Sequence, residues 1–188
     1  SLYIPVCNST LHSGNGTLTV HANPTPSLSA NPSALFPGIS TTINVNGASG
    51  SYTWNYNGTT ISNTSASLPV NVDELGTYYV TVVDENGCSG TSASITIRDS
   101  VTSTLFIYPN PTNNGQFNVR YYSNSNQGGR TINVFDSKGS RVYSNTFTIF
   151  GAYTNMPVNL SNLSKGVYTV ELAERSGKRI KTGRVLVL

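Results

Sequence analysis

Asp73-Glu74-Leu75-Gly76-Thr77-Tyr78-Tyr79-Val80-Thr81-Val82 carries the pattern that decides the fold. Tyr78, Val80 and Val82 recur at every second position, the period of a strand that turns one face to a core. The same alternation returns on both sides: Ile43 and Val45, Tyr52 and Trp54, Leu68, Val70 and Val72, then Ile95 and Ile97. Between the runs stand Asn46-Gly47, Asn57-Gly58, Leu75-Gly76 and Asn86-Gly87, residue types that tolerate the backbone of tight turns. Short strands at this spacing predict an antiparallel β-sandwich over residues 23–98.

Composition agrees with an all-β chain. Of 188 residues only 10% are charged and helix formers are scarce, while 37% are hydrophobic, with eleven Tyr and six Phe to build a core. No apolar run approaches the ~20 residues of a membrane helix. The charge is unevenly placed. Residues 1–104 hold one base, Arg98, against five acids, net −4; residues 105–188 hold ten bases against three acids, net +7. Two modules with different partners are expected.

Upstream, Ser1–Cys7 has no basic n-region and no long apolar segment, and we read the chain as the tail of a longer extracytoplasmic protein. Cys7, a polar loop, the alternating Thr17-Leu18-Thr19-Val20 and the stiff Asn23-Pro24-Thr25-Pro26 follow in that order. Cys88, Ile95-Thr96-Ile97 and Asp99-Ser100 repeat the order, so 1–22 reads as the end of a preceding repeat with its linker. A polar linker at 99–104 separates 23–98 from a second unit, 105–188.

That second unit has its own pattern. Strands are expected at Leu105–Tyr108, Gln116–Tyr122, Thr131–Phe135, Arg141–Phe147, Asn155–Leu160, Val167–Ala173 and Arg179–Val187. Turns fall at Asn113-Asn114-Gly115, Asp136-Ser137-Lys138-Gly139 and Arg175-Ser176-Gly177-Lys178. In order along it stand Tyr108-Pro109-Asn110-Pro111, Gly115 and Phe117; Asp136 and Gly139; Leu163, Gly166 and Tyr168; then Gly177, Lys181 and a final apolar strand. Together these resemble the type A C-terminal sorting domain of type IX secretion cargo proteins in Bacteroidota. The resemblance implies a β-sandwich that crosses the periplasm and the outer membrane through a translocon and is received by a shuttle β-barrel protein. It implies removal by a sortase-like protease, which can link the cargo to surface polysaccharide, and a secreted or cell-surface location. The cut is then expected at Asp99, Ser100, Val101, Thr102 and Ser103, because a protease needs unpaired backbone.

Residues 23–98 resemble the immunoglobulin-like repeats of bacterial surface proteins, which makes the chain two consecutive sandwiches, all-β. The resemblance places Trp54 in the core and makes Tyr78 the tyrosine of a tyrosine corner. Val80 stands where antibody domains carry their second cysteine. Related repeats pair a cysteine at the position of Cys88 with one near Leu35-Phe36-Pro37-Gly38, where this chain has none, so Cys88 is either free or bridged to Cys7.

Candidate binding residues are few. Arg175, Lys178, Arg179, Lys181 and Arg184 gather around the final hairpin, able to steer an acidic partner or simply to keep an edge strand soluble. Arg184-Val185-Leu186-Val187-Leu188 offers an edge for strand addition. Tyr52, Trp54 and Tyr56 share one strand face, a sugar platform if exposed and core if enclosed. Asp73-Glu74 and Asp84-Glu85 are turn residues or weak calcium ligands. Asp99-Ser100-Val101 matches a three-residue O-glycosylation pattern. His12 and His21 lie near no activated nucleophile, no metal-ligand spacing or phosphate loop occurs, and nothing calls for nucleic acid or a cofactor. The expected role is secretion cargo with a stalk repeat; the alternatives are a surface-binding adhesin module and the non-catalytic tail of a secreted hydrolase.

Overall fold

The computed structural model describes residues 6–7, 20–124 and 128–188. Regular structure among the described residues is all strand. The chain divides into two compact units, Ser1–Ser100 and Val101–Leu188.

The first unit contains β1 (Val6–Cys7), β2 (Val20–His21), β3 (Ser27–Ser29), β4 (Ala34–Leu35), β5 (Thr41–Asn46), β6 (Ser51–Tyr56), β7 (Thr59–Ile61), β8 (Ser67–Val70), β9 (Gly76–Val83), β10 (Ser89–Thr91) and β11 (Ile95–Asp99). One sheet runs β3-β5-β8; the other runs β4-β11-β9-β6-β7, with β10 also on β9. β9 splits its edge: Thr81–Val83 pair with β10, and Gly76–Tyr78 with β11. Ile43 and Val70 from the smaller sheet meet Leu35, Trp54, Tyr78, Val80, Val82 and Ile97 from the larger. These are the inward positions of the period-two runs, so burial selects the strand register.

Local readings changed in three places. Gly76 opens β9 instead of turning the chain. The run through Val72 stops at Val70, because Asn71 and Glu74 close a turn: the Glu74 amide donates to the Asn71 carbonyl at 3.1 Å. Asn23–Pro26 is no free linker. Pro26 is buried, and a side chain on Gly90 would meet the Pro24 carbonyl oxygen at 1.8 Å, so only glycine admits this close approach.

Cys7 and Cys88 form a disulfide with Cα atoms 5.4 Å apart. The bridge, not the free thiol, is the alternative that holds. Thr17-Leu18-Thr19, on which the preceding-repeat expectation rested, lie outside the described residues, as does His12. What is described is a short parallel pair, Val6 opposite Val20 and Cys7 opposite His21.

The second unit contains β12 (Phe106–Tyr108), β13 (Gln116–Arg120), β14 (Gly129–Phe135), β15 (Arg141–Thr148), β16 (Met156–Asn159), β17 (Gly166–Glu174) and β18 (Arg179–Val187). Its sheets run β12-β13-β16 and β15-β14-β17-β18. Phe117, Val119, Met156 and Val158 from one meet Ile132, Val134, Tyr168, Val170, Leu172, Val185 and Val187 from the other.

The two units share one wiring. β3-β5-β8 corresponds to β12-β13-β16, and β6-β9-β11 to β14-β17-β18. One constant interval in sequence relates Val70 to Leu160, Tyr78 to Tyr168, Val80 to Val170, Val82 to Leu172, Gly87 to Gly177 and Ile97 to Val187. In each unit an Asn-Pro-hydroxyl triplet, Asn31-Pro32-Ser33 or Asn110-Pro111-Thr112, carries the first strand from one sheet to the other. There the Arg98 amide donates to the Ser33 carbonyl at 3.0 Å, and the Leu188 amide to the Thr112 carbonyl at 2.9 Å. Both units are antiparallel sandwiches of immunoglobulin-like type.

Candidate functional site: the C-terminal sandwich

Tyr108 ends β12, and Pro109 and Pro111 have no amide to extend its ladder. Asn110 uses the interruption. Its side-chain Nδ2 donates to the Arg184 carbonyl at 2.9 Å, and its Oδ1 accepts the Leu186 amide at 3.1 Å. The carboxamide therefore imitates a strand peptide along the outer edge of β18. Thr112 continues the cover: its amide donates to the Leu186 carbonyl at 2.8 Å, and it forms a parallel bridge with Val187. Thr112 is itself buried, and its hydroxyl donates to the Gln116 carbonyl at 2.8 Å.

The remaining motif residues hold turns and core. Gly115 has φ +72°, and a Cβ there would lie 2.7 Å from the Leu160 carbonyl carbon, which explains why the turn before buried Phe117 needs glycine. Asp136 Oδ1 accepts the amides of Lys138 at 2.9 Å and Ser140 at 2.8 Å, closing the β14–β15 turn with Gly139 at φ +83°. The Leu163 amide donates to the Leu160 carbonyl at 2.9 Å ahead of Gly166. The Tyr168 hydroxyl then donates to the Ser164 carbonyl at 2.5 Å. Gly177, at φ +92°, closes the β17–β18 turn.

Residues 106–186 match the family of the secretion system C-terminal sorting domain. This segment is a type IX secretion sorting domain. No curated protein matches the chain. Three solved structures resemble it loosely. Dimeric latent PorU from Porphyromonas gingivalis is 15% identical, with 90% of this chain and 22% of that one covered at a TM-score of 0.38. The BSP domain of a biofilm-associated protein is 21% identical, with 88% and 29% covered at 0.32. The chicken interferon gamma receptor alpha chain is 11% identical, with 87% and 98% covered at 0.34. The chain thus spans under a third of the first two structures it resembles. In that family the domain is a non-catalytic C-terminal tail of cargo proteins.

Within the sorting domain the expected binding residues separate. Register sets Lys181 opposite Leu172 and Arg184 opposite Thr169, so alternation sends the two bases to opposite faces of β18. Arg179 Nε pairs with Glu171 Oε2 at 2.9 Å, and Glu171 Oε1 accepts Asn133 Nδ2 at 3.1 Å. Arg175 and Lys178 are exposed in the β17–β18 turn. Nor is Arg184–Leu188 an open edge for strand addition: Asn110 and Thr112 already occupy it. Val185 and Val187 face the core, while Leu186 and Leu188 face away from it.

The linker is shorter than expected. Asp99 belongs to β11, opposite Leu35 of β4, and the Ser100 amide donates to the Leu35 carbonyl at 2.7 Å. Strand-free backbone starts at Val101, which is 71% exposed, and runs through half-buried Thr102 and exposed Ser103 to Thr104.

In the first unit, Trp54 is 0% exposed and its Nε1 donates to the Ser65 carbonyl at 2.8 Å, while Tyr52 and Tyr56 pack against the same core. That face is interior and offers sugars no platform. Tyr78 donates from its hydroxyl to the Glu74 carbonyl, and its ring stacks on Tyr56 at 4.9 Å. Burial, then the neighbouring Tyr56 and Glu74, pushes its phenol far above the ordinary value of 10.0. The paired acids serve turns: Asp84 Oδ1 accepts the amides of Asn86 and Cys88, both at 2.9 Å, and Glu74 Oε2 accepts that of Asn71 at 3.2 Å. His21 is half-buried in β2.

Reasoning from sequence did not single out Thr112, and it placed Val167 in a strand without giving it a surface role. Val167 is 51% exposed, an apolar residue out of phase with inward Tyr168 and Val170. That phase break was its signal.

Proposed function

We propose that the sorting domain is the address of a larger cargo, read by an outer-membrane translocon and handed to a shuttle β-barrel protein after the cargo has crossed the periplasm. The first unit is a stalk repeat that holds upstream segments away from the surface. A sortase-like protease cuts at Val101–Thr104 and can transfer the cargo to surface polysaccharide. The chain supplies transport and display, and any catalysis belongs to other parts of the cargo.

The match over residues 106–186 is the observation that carries this reading. The enclosed core and closed β18 edge support it, because a signal that waits in the periplasm must not pair with other strands. The test fuses residues 101–188 to a periplasmic fluorescent reporter in cells with and without a functional type IX system. Reporter in the medium or on the surface only in competent cells is the expected result. Equal retention in both strains overturns the reading.

A further inference from the structure

The two sandwiches act as internal controls for each other, and they differ where function needs a difference. On β9 and β11, Thr77 lies opposite Thr96, with their hydroxyls 3.2 Å apart on the outward face. Val167 and Leu186 occupy the same places on β17 and β18, directly opposite each other. Tyr168 and Val185, their chain neighbours, are buried, so Val167 and Leu186 point outward. Where the first unit has a hydrogen-bonded threonine pair, the second has an apolar pair outside its core cluster, with Val167 exposed and Leu186 half-buried.

The surroundings say what would cover it. Half-buried Phe135 faces the same side from β14, opposite Thr169. Exposed bases border this strip: Arg184 opposite Thr169, Arg141 opposite Phe135, and Lys165 just before Gly166. The nearby acids are engaged, Asp136 by the Lys138 and Ser140 amides and Glu171 by Arg179 and Asn133. Apolar centres with a charged rim are the composition of protein-recognition patches.

We propose that the outward face of β17–β18, centred on Val167 and Leu186 and flanked by Arg141, Lys165 and Arg184, docks the sorting domain onto an apolar, acid-rimmed protein surface of the secretion machinery. This rests on the export reading above and names the surface it uses. The immunoglobulin-like unit keeps the same wiring but a threonine face, so the machinery distinguishes signal from stalk although both are sandwiches.

The test uses the whole chain fused to a reporter in type IX-competent cells. Val167→Thr/Leu186→Thr restores the threonine pair of the first unit, and Arg184→Glu with Arg141→Glu reverses the rim. Each is expected to cut export about tenfold or more, the loss of ~1.4 kcal/mol or more of binding. Both leave the urea midpoint within error, because the altered side chains lie outside the core. The mirror change, Thr77→Val/Thr96→Leu, leaves export unchanged. Unsubstituted chain that is exported, beside double variants that fold and are exported equally well, overturns the docking face alone. Failure of the unsubstituted chain to leave the cell overturns the export reading and this inference together. A dimer of the purified chain that the threonine pair dissociates, seen by sedimentation, assigns the face to self-association and also overturns it. If the threonine variant lowers the urea midpoint, the rim variants decide: normal export overturns the proposal, and reduced export sustains it.

Discussion

The Asn110 carboxamide and the Leu186 amide meet at 3.1 Å, and through that contact a loop side chain covers the C-terminal end of the β18 edge. Removing it leaves the Leu186 amide and the Arg184 carbonyl without their protein partner. Asn110→Ala is expected to destabilise the sorting domain by about 1 kcal/mol, the net contribution of solvent-exposed hydrogen bonds. Urea unfolding of residues 101–188 gives the magnitude. Amide exchange gives the location, since the Leu186 amide should lose protection while core amides of β17 keep theirs. The same variant should aggregate sooner, because an uncovered strand edge templates pairing.

Tyr78 and Tyr168 fill equivalent corners, and their hydroxyls donate to the carbonyls of Glu74 and Ser164. Tyr78→Phe and Tyr168→Phe should each cost about 1 kcal/mol in the unit that holds them, read as a lower melting temperature of that unit alone.

Tyr78 adds a pH dependence. Its phenol is raised far above 10.0 by burial, so the folded state keeps the proton after the unfolded chain has released it. The stabilisation is complete below the unfolded value and is lost as pH rises through and beyond it. Denaturant midpoints of the first unit should therefore fall between about pH 9 and about pH 11. Tyr78→Phe should flatten that part of the decline. An unchanged slope in the variant would place the loss elsewhere.

The sequence was a good guide wherever a physical period was uninterrupted. The runs ending in Tyr78-Val80-Val82 and Tyr168-Val170 became β9 and β17 because inward alternation and burial agree. The Asp136–Gly139 turn was legible because a side chain caps its own backbone nearby. Long-range pairings were not. Nothing local to Asn110 indicates that its partner is Leu186, and the β4–β11 pairing that absorbs Asp99 depends on a strand crossing between sheets. β4 and β7 were too short to show a period. What the motif residues of the sorting domain do in turns and edge closure appears only in three dimensions.

The Cys7–Cys88 bridge closes a loop with a sequence separation of 81. Loop-closure entropy for that length corresponds to about 4 kcal/mol of stability in the first unit, in the unfolded-chain account. Cys7→Ser/Cys88→Ser should lower that unit's denaturant midpoint and leave that of residues 101–188 unchanged. Dithiothreitol should reproduce the shift in the parent chain and do nothing further in the variant.

Trp54 is the chain's single tryptophan and is 0% exposed. Its fluorescence should be blue-shifted, insensitive to added oligosaccharides, and should report unfolding of the first unit only. Trp54→Ala should cost about 3–5 kcal/mol and unfold that unit under mild denaturant, the usual consequence of emptying a large core site.

The proposed cut lies at Val101–Thr104. Asp99 and Ser100 are held to Leu35 by strand pairing, so a protease that requires extended, unpaired backbone gains access only from Val101 onward. Limited digestion by a protease of broad specificity should first yield two stable fragments with the new terminus at 101–105, identified by mass. Replacing Thr102-Ser103 with Pro-Pro should slow that cleavage by restricting the backbone, without moving either unit's melting temperature. A first cut inside 95–100 would mean that the β11–β4 pairing opens more readily than its hydrogen bonds suggest. The expectation holds only if the sheet, and not the composition of the linker, sets the boundary.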